Sequence, residues 1–454
     1  MSQLLATDKP AKPNHLLWTP LKIGSMQVGG RLYKTATHET LATDEGFVTD
    51  ELLAFYAPMV EADLPLVISG NIFVSWEGKS GGAQTGLDKD DKIPGLRRFA
   101  DLCHAHGSKL IAQLNHGGSQ MIKAAPGIER PVSASAIRQP MLGSMPRAFR
   151  RDEIPGVVKS FADAAERARL AGCDGVQIQL SHGYLVSQFL TPATNARNDE
   201  YGGSFDNRMR LALEIYRAVR ERVGDDYPVI AKINGTDTRP GGVSTTEQVA
   251  VAHVLQEEGL DAIEITRGHF GTLPSTVSGN FRGFFRQQIK YGAGANFPAW
   301  RKALYLASAP VSERVMSQLF PHSQGFNLNE ADLFKSALRI PVITCGGFNS
   351  PAAMEAAVAG GRTDAVSVAR GLIANPYLYR HLYQPDPAAP ACNFCNKCIA
   401  RAGGKVGIGC FNEEVLQLRE QMLQRPLPAL EGESGSAAPI EAAPGASVRK
   451  AGRA

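Results

Sequence analysis

"DGVQIQLSHGYLVSQFLTPATNARNDEYGGSFDNRMRLALEIYRAVRERVGDDYPVIAKIN" spans residues 174–234 and holds one complete structural repeat. It opens on a short apolar run, 174–180, passes through a polar connection and then takes a helical period. Ser204 reads as the N-cap, Leu211, Ile215 and Val219 as an i, i+4 apolar stripe, and Gly224 as the stop. A second apolar run, 228–234, follows at once. Strand, helix and strand in that order predict a parallel βαβ unit.

The same alternation extends in both directions. Strands are predicted at 31–37, 64–70, 109–115, 174–180, 228–234, 261–266, 341–346 and 364–369. A further helix starts at Ser244, where Ser-Thr-Thr-Glu predicts a capping box, Ser244 and Glu247 each taking an orphan backbone donor. Eight strands with matching helices predict an α/β fold, a (β/α)8 TIM barrel ahead of a doubly wound sheet. Two connections are oversized. Residues 116–151 follow the third strand, and 267–340, with Phe281, Phe284, Phe285, Tyr291, Phe297 and Trp300, follow the sixth. Both leave strand C-termini, so they are expected to be lids or substrate walls. A peripheral insertion or subunit contact is the other reading of the second, and leaves a homo-oligomer open. The expected divisions are a flexible start (1–17), the barrel (18–385), a cysteine-bearing extension (386–425) and a disordered tail (426–454) rich in Ala, Gly, Pro and Ser.

Bulk properties narrow the class. The chain has 454 residues, 43% hydrophobic and 20% charged, with a net charge of only +4. No basic stripe interleaved with aromatics suggests a nucleic-acid partner. The first residues lack a secretory pattern, and no run approaches ~18 apolar residues, so no membrane span is expected. Four of seven cysteines crowd into Cys392–Cys410, as in a metal site of a reducing cytoplasm. A cytoplasmic enzyme acting on a small molecule is the expectation.

Candidate chemistry gathers at strand ends. Gly346 and Gly347 close the seventh strand and Ala369–Gly371 the eighth, where barrels commonly hold a phosphate; Arg370 could add a guanidinium fork. Gln113 and Lys232 sit in apolar strands and suit the carbonyls and ring nitrogens of a flat heterocycle, or else form a polar core layer. Period two puts Gln177 and Gln179 on one face of the fourth strand, and His182 and Tyr184 follow at the barrel mouth. Histidine can donate to a substrate oxygen and tyrosine can deliver a proton to carbon.

The stretch from 174 onward, with H-G-Y-L, Q-F-L-T-P, N-A-R, Y-G-G-S, N-R and A-V-R, resembles the signature of the old yellow enzyme family. The likeness extends from "PLKIGSMQVGGR" through "AQLNHGG" and "GLDAIEIT" to "PVITCGGFNSPAAMEAAVAGGRTDAVSVARGLIANPYL". It implies FMN held by Thr35, Ala36, Thr37, His38, Gly70, Gln113, Lys232, Gly346, Gly347, Ala369 and Arg370. It also implies hydride transfer from NADH or NADPH to the flavin and on to the β-carbon of an activated alkene, Tyr184 protonating the α-carbon. Lys232 stands where the family places a cation near flavin N1. Two departures stand out. The family's substrate-binding pair is His followed three residues later by His or Asn, whereas here it is Gln179 and His182. Gln179 cannot become cationic, so polarisation of a substrate carbonyl would fall mainly to His182. "TATHE" (35–39) replaces the common A-P-M-[TC], bringing His38 to a position that tunes the flavin.

Cys392, Cys395, Cys398 and Cys410 have the spacing C-x2-C-x2-C-x11-C. That spacing favours a four-thiolate [4Fe-4S] cluster, with zinc or free thiols as alternatives. It resembles the segment after the barrel in trimethylamine dehydrogenase and bacterial 2,4-dienoyl-CoA reductase. A cluster so placed would call for an external redox partner, or be structural. Cys103, Cys173 and Cys345 are expected to be inert core thiols. The expected activity is an FMN-dependent, NAD(P)H-driven reduction of an activated C=C bond. An amine dehydrogenase, demethylase or ketone desaturase that exports electrons is the alternative, and a non-redox aldolase or isomerase barrel a remote one.

Overall fold

The computed structural model describes residues 15–427 apart from 123–124, 140–142, 270–271 and 405. The expected flexible start and disordered tail lie outside the described residues, except for 15–17 and 426–427. Eight strands close into a barrel: Leu32–Lys34 (β1), Leu66–Phe73 (β2), Lys109–Asn115 (β3), Gly175–Gln179 (β4), Val229–Asn234 (β5), Ala262–Thr266 (β6), Val342–Cys345 (β7) and Ala365–Val368 (β8). All eight lie within or overlap the predicted runs, and every neighbouring pair is parallel. β2 runs further than expected because a register shift between Ile68 and Asn71 lets it continue past Gly70.

Helix Phe205–Val223 begins and ends where the sequence places it: Ser204 Oγ accepts from Asn207 N, and Gly224, at φ 83°, ends it. Ser204→Ala is expected to lower stability by about 1 kcal/mol, read from the urea midpoint. The capping box at Ser244 forms only by half. Ser244 Oγ accepts from Glu247 N, but the Glu247 carboxylate pairs with Arg208 on the neighbouring helix. A cationic partner outcompetes a neutral amide for the carboxylate.

Barrel interior and site are organised by period two. Tyr33, Leu66, Ile68, Ile111, Ile230, Ala262, Ile343 and Ala365 share one buried cluster with Ile23, Met26 and Val28 of the antiparallel hairpin Leu21–Ile23/Met26–Val28. That hairpin plugs the N-terminal end of the barrel. Moving two residues onward from the floor on five of the strands brings Thr35, Gln113, Lys232, Glu264 and Ser367, and Gln177 of β4 joins them, all buried and all polar. An apolar floor therefore carries a polar layer facing the C-terminal mouth.

The connection 267–340 is largely helical, with Leu273–Val277, Phe284–Tyr291, Ala299–Leu319 and Leu328–Ala337. Phe281 and Phe284 form a small core of their own with Phe285, Met316, Phe320 and Ile399, so these aromatics bind the insertion to the cysteine segment. Trp300, Leu304 and Val311 on helix Ala299–Leu319 are exposed. Among the described residues no helix is long and apolar enough to cross a membrane.

Candidate active site

The polar layer is built around Glu264. Its Oε1 accepts from Thr35 Oγ1 at 2.5 Å and Ser367 Oγ at 2.6 Å, and lies 3.1 Å from Lys232 Nζ. Its Oε2 accepts from Gln177 Nε2 at 2.9 Å, and Gln113 Nε2 donates to Gln177 Oε1 at 2.6 Å. Burial pushes the Glu264 carboxyl up, but the Lys232 charge and the bonds from Ser367, Thr35 and Gln177 outweigh it and hold the group below the usual glutamate value. Lys232 is thus neutralised within the barrel. Glu264 escaped the sequence reading, although one acid in the run "DAIEIT" was the signal.

Over this layer opens a cavity lined by Thr35, Ala36, Thr37, His38, Lys232, Gly346, Gly347, Ala369 and Arg370, with His182 and Tyr184 in the same wall. Leu273 and Val277 from the insertion and Ile399, Ala402 and Ile408 from the cysteine segment complete it with apolar surface. None of these five was expected. Gly347 sits at φ +68°, and a Cβ there would lie 2.6 Å from Ser323 O, so only glycine keeps this backbone open. His38 Nε2, Asn234 Nδ2 and both amide atoms of Asn115 are buried near the strand ends without a hydrogen-bond partner. Of these, His38 lies in the cavity wall, and an orphaned ring nitrogen there, with Lys232 on one side and apolar surface on the other, fits a ligand that is flat, apolar at one end and rich in donors and acceptors at the other. A flavin meets that description.

Three expected contacts are placed otherwise. Gly70 does not line the cavity: a Cβ there would meet Glu39 Oε2 at 1.6 Å, so the glycine makes room for a carboxylate that accepts from Tyr56 OH and Thr37 Oγ1. Gln113 belongs to the Glu264 network. Gln179 is also off the cavity wall. Its Oε1 accepts from Ser181 Oγ at 2.8 Å, leaving Nε2 directed at His182 Nδ1, 3.4 Å away. That contact makes Nδ1 the acceptor, so Nε2 carries the imidazole proton and donates to Thr266 Oγ1 at 3.0 Å. Gln179 acts on the histidine and not on the cavity.

His182 holds φ +61°, a left-handed conformation costly for a side chain with a Cβ, followed by Gly183 at φ +78°. Burial, with the Lys232 charge adding, pushes its pKa down to about 3, so His182 offers a neutral N–H and not the charged donor that would give a stronger bond. Tyr184 lies just outside helix Leu185–Leu190. Burial pushes its phenol up to about 12, while a hydrogen bond from Asn71 acts in the opposite sense.

Arg370 is more committed than a phosphate fork would be. Its Nη1 donates to Ser278 O at 2.9 Å and Asn396 Oδ1 at 2.6 Å, Nη2 donates to Val277 O, and the guanidinium lies 4.7 Å from the centre of the Phe394 ring. It ties the insertion to the cysteine segment. Beyond it, Cys392, Cys395, Cys398 and Cys410 line one small hollow. Burial pushes Cys392 up to about 11 and Cys398 up to about 12, against the lowering effect of Arg370. Among the described residues no three His, Cys, Asp or Glu side chains are placed to hold one metal ion. Cys398 lines both this hollow and the large cavity. Cys345, expected to be an inert core thiol, also lines the cavity, whereas Cys103 and Cys173 are buried in the core.

The sequence pattern of the NADH:flavin oxidoreductase / NADH oxidase family matches residues 16–293. The chain is 35% identical over 399 residues to a metal reductase of Desulforamulus reducens, covering 87% of this chain and 53% of that protein. A 4,4'-dithiodibutanoate disulfide reductase of Rhodococcus erythropolis is 29% identical over 409 residues, covering 90% and 98%. The solved complex of 2-naphthoyl-CoA reductase with 2-naphthoyl-CoA superposes with a TM-score of 0.75 at 26% identity, covering 89% of this chain and 58% of that one. The chain spans about half the length of the first and third of these relatives.

Proposed function

The chain belongs to the NADH:flavin oxidoreductase / NADH oxidase family, and from that premise we propose that it is an FMN-dependent enzyme that reduces an activated C=C bond with electrons from NADH or NADPH. Bound in the cavity, FMN would supply hydride transfer, taken from the nicotinamide and given to the β-carbon of the alkene. Thr35–His38, Lys232, Gly346, Gly347 and Ala369 would hold it. The observation that carries the reading is Tyr184: a phenol protonated at any working pH, in the wall of the same cavity as Lys232 and the two glycines. The one N–H of neutral His182 rests on Thr266 Oγ1, and it would serve a substrate oxygen only by exchanging that partner. The likeness to 2-naphthoyl-CoA reductase supports a conjugated substrate.

Cys392, Cys395, Cys398 and Cys410 are proposed to hold a [4Fe-4S] cluster. Four-thiolate zinc needs its sulfurs about 2.3 Å from one ion, whereas a cubane offers each thiolate its own corner iron. The position of Cys398 between hollow and cavity favours a second reading. In it, an amine or saturated substrate is oxidised and electrons leave through the cysteine segment. One anaerobic experiment separates the two. NADH or NADPH alone is expected to bleach the purified yellow protein, and 2-cyclohexenone to restore its colour. Bleaching only by an amine or saturated ketone would move the assignment to the second reading. A colourless protein that releases no flavin on denaturation would sink both. Iron and acid-labile sulfide in the same air-free preparation test the cluster.

A further inference from the structure

Asn71 lies on β2 immediately after the register shift that follows Ile68, opposite Gln113 of β3. The shift turns its side chain between two residues of the cavity wall. His38 Nδ1 lies 2.8 Å from Asn71 Oδ1, and Asn71 Nδ2 donates to Tyr184 OH at 3.3 Å. The backbone holds Asn71 as well: its N donates to Thr37 O, and its O accepts from Gln84 Nε2 at 2.7 Å. The polarity of the chain follows from one constraint. A neutral imidazole with its Nδ1–H on Asn71 Oδ1 leaves the amide only its NH2 for the tyrosine. Tyr184 oxygen is therefore an acceptor here, and its own proton is left for another acceptor.

We infer that Asn71 and His38 are positioning residues that hold Tyr184 as a proton donor, His38 fixing the amide orientation and Asn71 leaving the phenolic hydrogen free for the cavity. The inference rests on the reading of Tyr184 as the acid. When the O–H bond breaks and its proton goes to the substrate carbon, the electron pair stays on the phenolate oxygen. The Asn71 N–H already points at that oxygen, so no group has to reorient as charge develops. Burial keeps the His38 imidazole neutral, with the bond to Asn71 opposing that shift. Space for the ring depends on Gly81, where a Cβ would come 2.9 Å from His38 Nε2.

The test combines kinetics with a direct view of the phenol. Asn71→Leu is expected to slow reoxidation of the dithionite-reduced holoenzyme by 2-cyclohexenone about 10- to 100-fold, as for losing a hydrogen bond to a developing anion. Asn71→Asp keeps the shape but makes the side chain acceptor-only, so Tyr184 would donate to it; this variant is expected to be at least as slow. Infrared spectra of protein labelled with carbon-13 at the tyrosine Cζ need no substrate. The band absent from Tyr184→Phe is expected to shift in Asn71→Leu, and to move to the frequency of a donating phenol in Asn71→Asp. Parental rates and unshifted bands in both Asn71 variants, with Tyr184→Phe slow, would overturn the inference alone. Parental turnover in Tyr184→Phe would overturn the reading of the acid and the inference with it.

Discussion

Replacing Tyr184 with phenylalanine is expected to slow alkene reduction by roughly 10²- to 10⁴-fold, the range for loss of a positioned general acid. The loss should fall on reoxidation of the reduced enzyme by the alkene far more than on its reduction by NADH or NADPH. Stopped-flow absorbance of the two half-reactions measures each separately. Tyr184 is fully protonated near neutrality, so the parent's reoxidation rate should stay flat with pH until alkaline values and not follow an ordinary histidine titration. A second cost accompanies the substitution. Asn71 Nδ2 loses its acceptor at a buried position, which takes about 1–3 kcal/mol from stability. Equal slowing of both half-reactions would point to a distorted cavity and remove Tyr184 from the chemistry.

Glu264→Gln is expected to destabilise the fold by about 3–5 kcal/mol, the cost of leaving a buried partner charge uncompensated. Lys232 Nζ would keep only neutral acceptors, Thr35 Oγ1 at 2.5 Å and the new amide oxygen, with no counter-charge inside a barrel where both side chains are almost wholly buried. Urea unfolding of Glu264→Gln, Lys232→Met and the double variant reads the pair directly. The double variant should be less destabilised than the sum of the single ones, because it buries no lone charge. The linkage has a definite sign. Glu264 titrates lower in the folded chain than in the unfolded one, so its contribution is present above the unfolded value near about 4.3 and is lost as pH falls through the folded value. A Glu264→Gln protein with the parent's midpoint and the parent's acid sensitivity would contradict this account. With FMN bound in the cavity as proposed, the same substitution would leave it beside an uncompensated cation, so its reduction potential is expected to rise.

Much of the architecture is local in origin and could be read along the chain. Period-two runs and a capped 3.6-period helix are properties of neighbouring residues, which is why eight strands and the helix closed by Gly224 appear in their predicted places. Alternation also carried part of the site. Thr35 and Lys232 continue the inward face of strands whose earlier residues form the apolar floor, so both reach the mouth. The motif at 182–184 likewise brings His182 and Tyr184 to the cavity.

Partner choice is a different matter, because it depends on what folding brings close from elsewhere in the chain. Glu264 meets Lys232, Gln177 and Ser367 from three other strands and Thr35 from just beyond β1, and no spacing encodes that convergence. Gln179 turned to His182 because Ser181 had taken its carbonyl oxygen, and Gly70 gave way to the carboxylate of Glu39. The register shift in β2 is what aimed Asn71 at Tyr184; without it, period two would have sent the side chain elsewhere. Sequence alone thus determined the barrel and several of the strand ends that reach the cavity. Tertiary structure decided which polar groups neutralise one another and which remain facing the cavity, because a buried donor or charge is satisfied by whatever lies within about 3 Å, however far away it is in the chain.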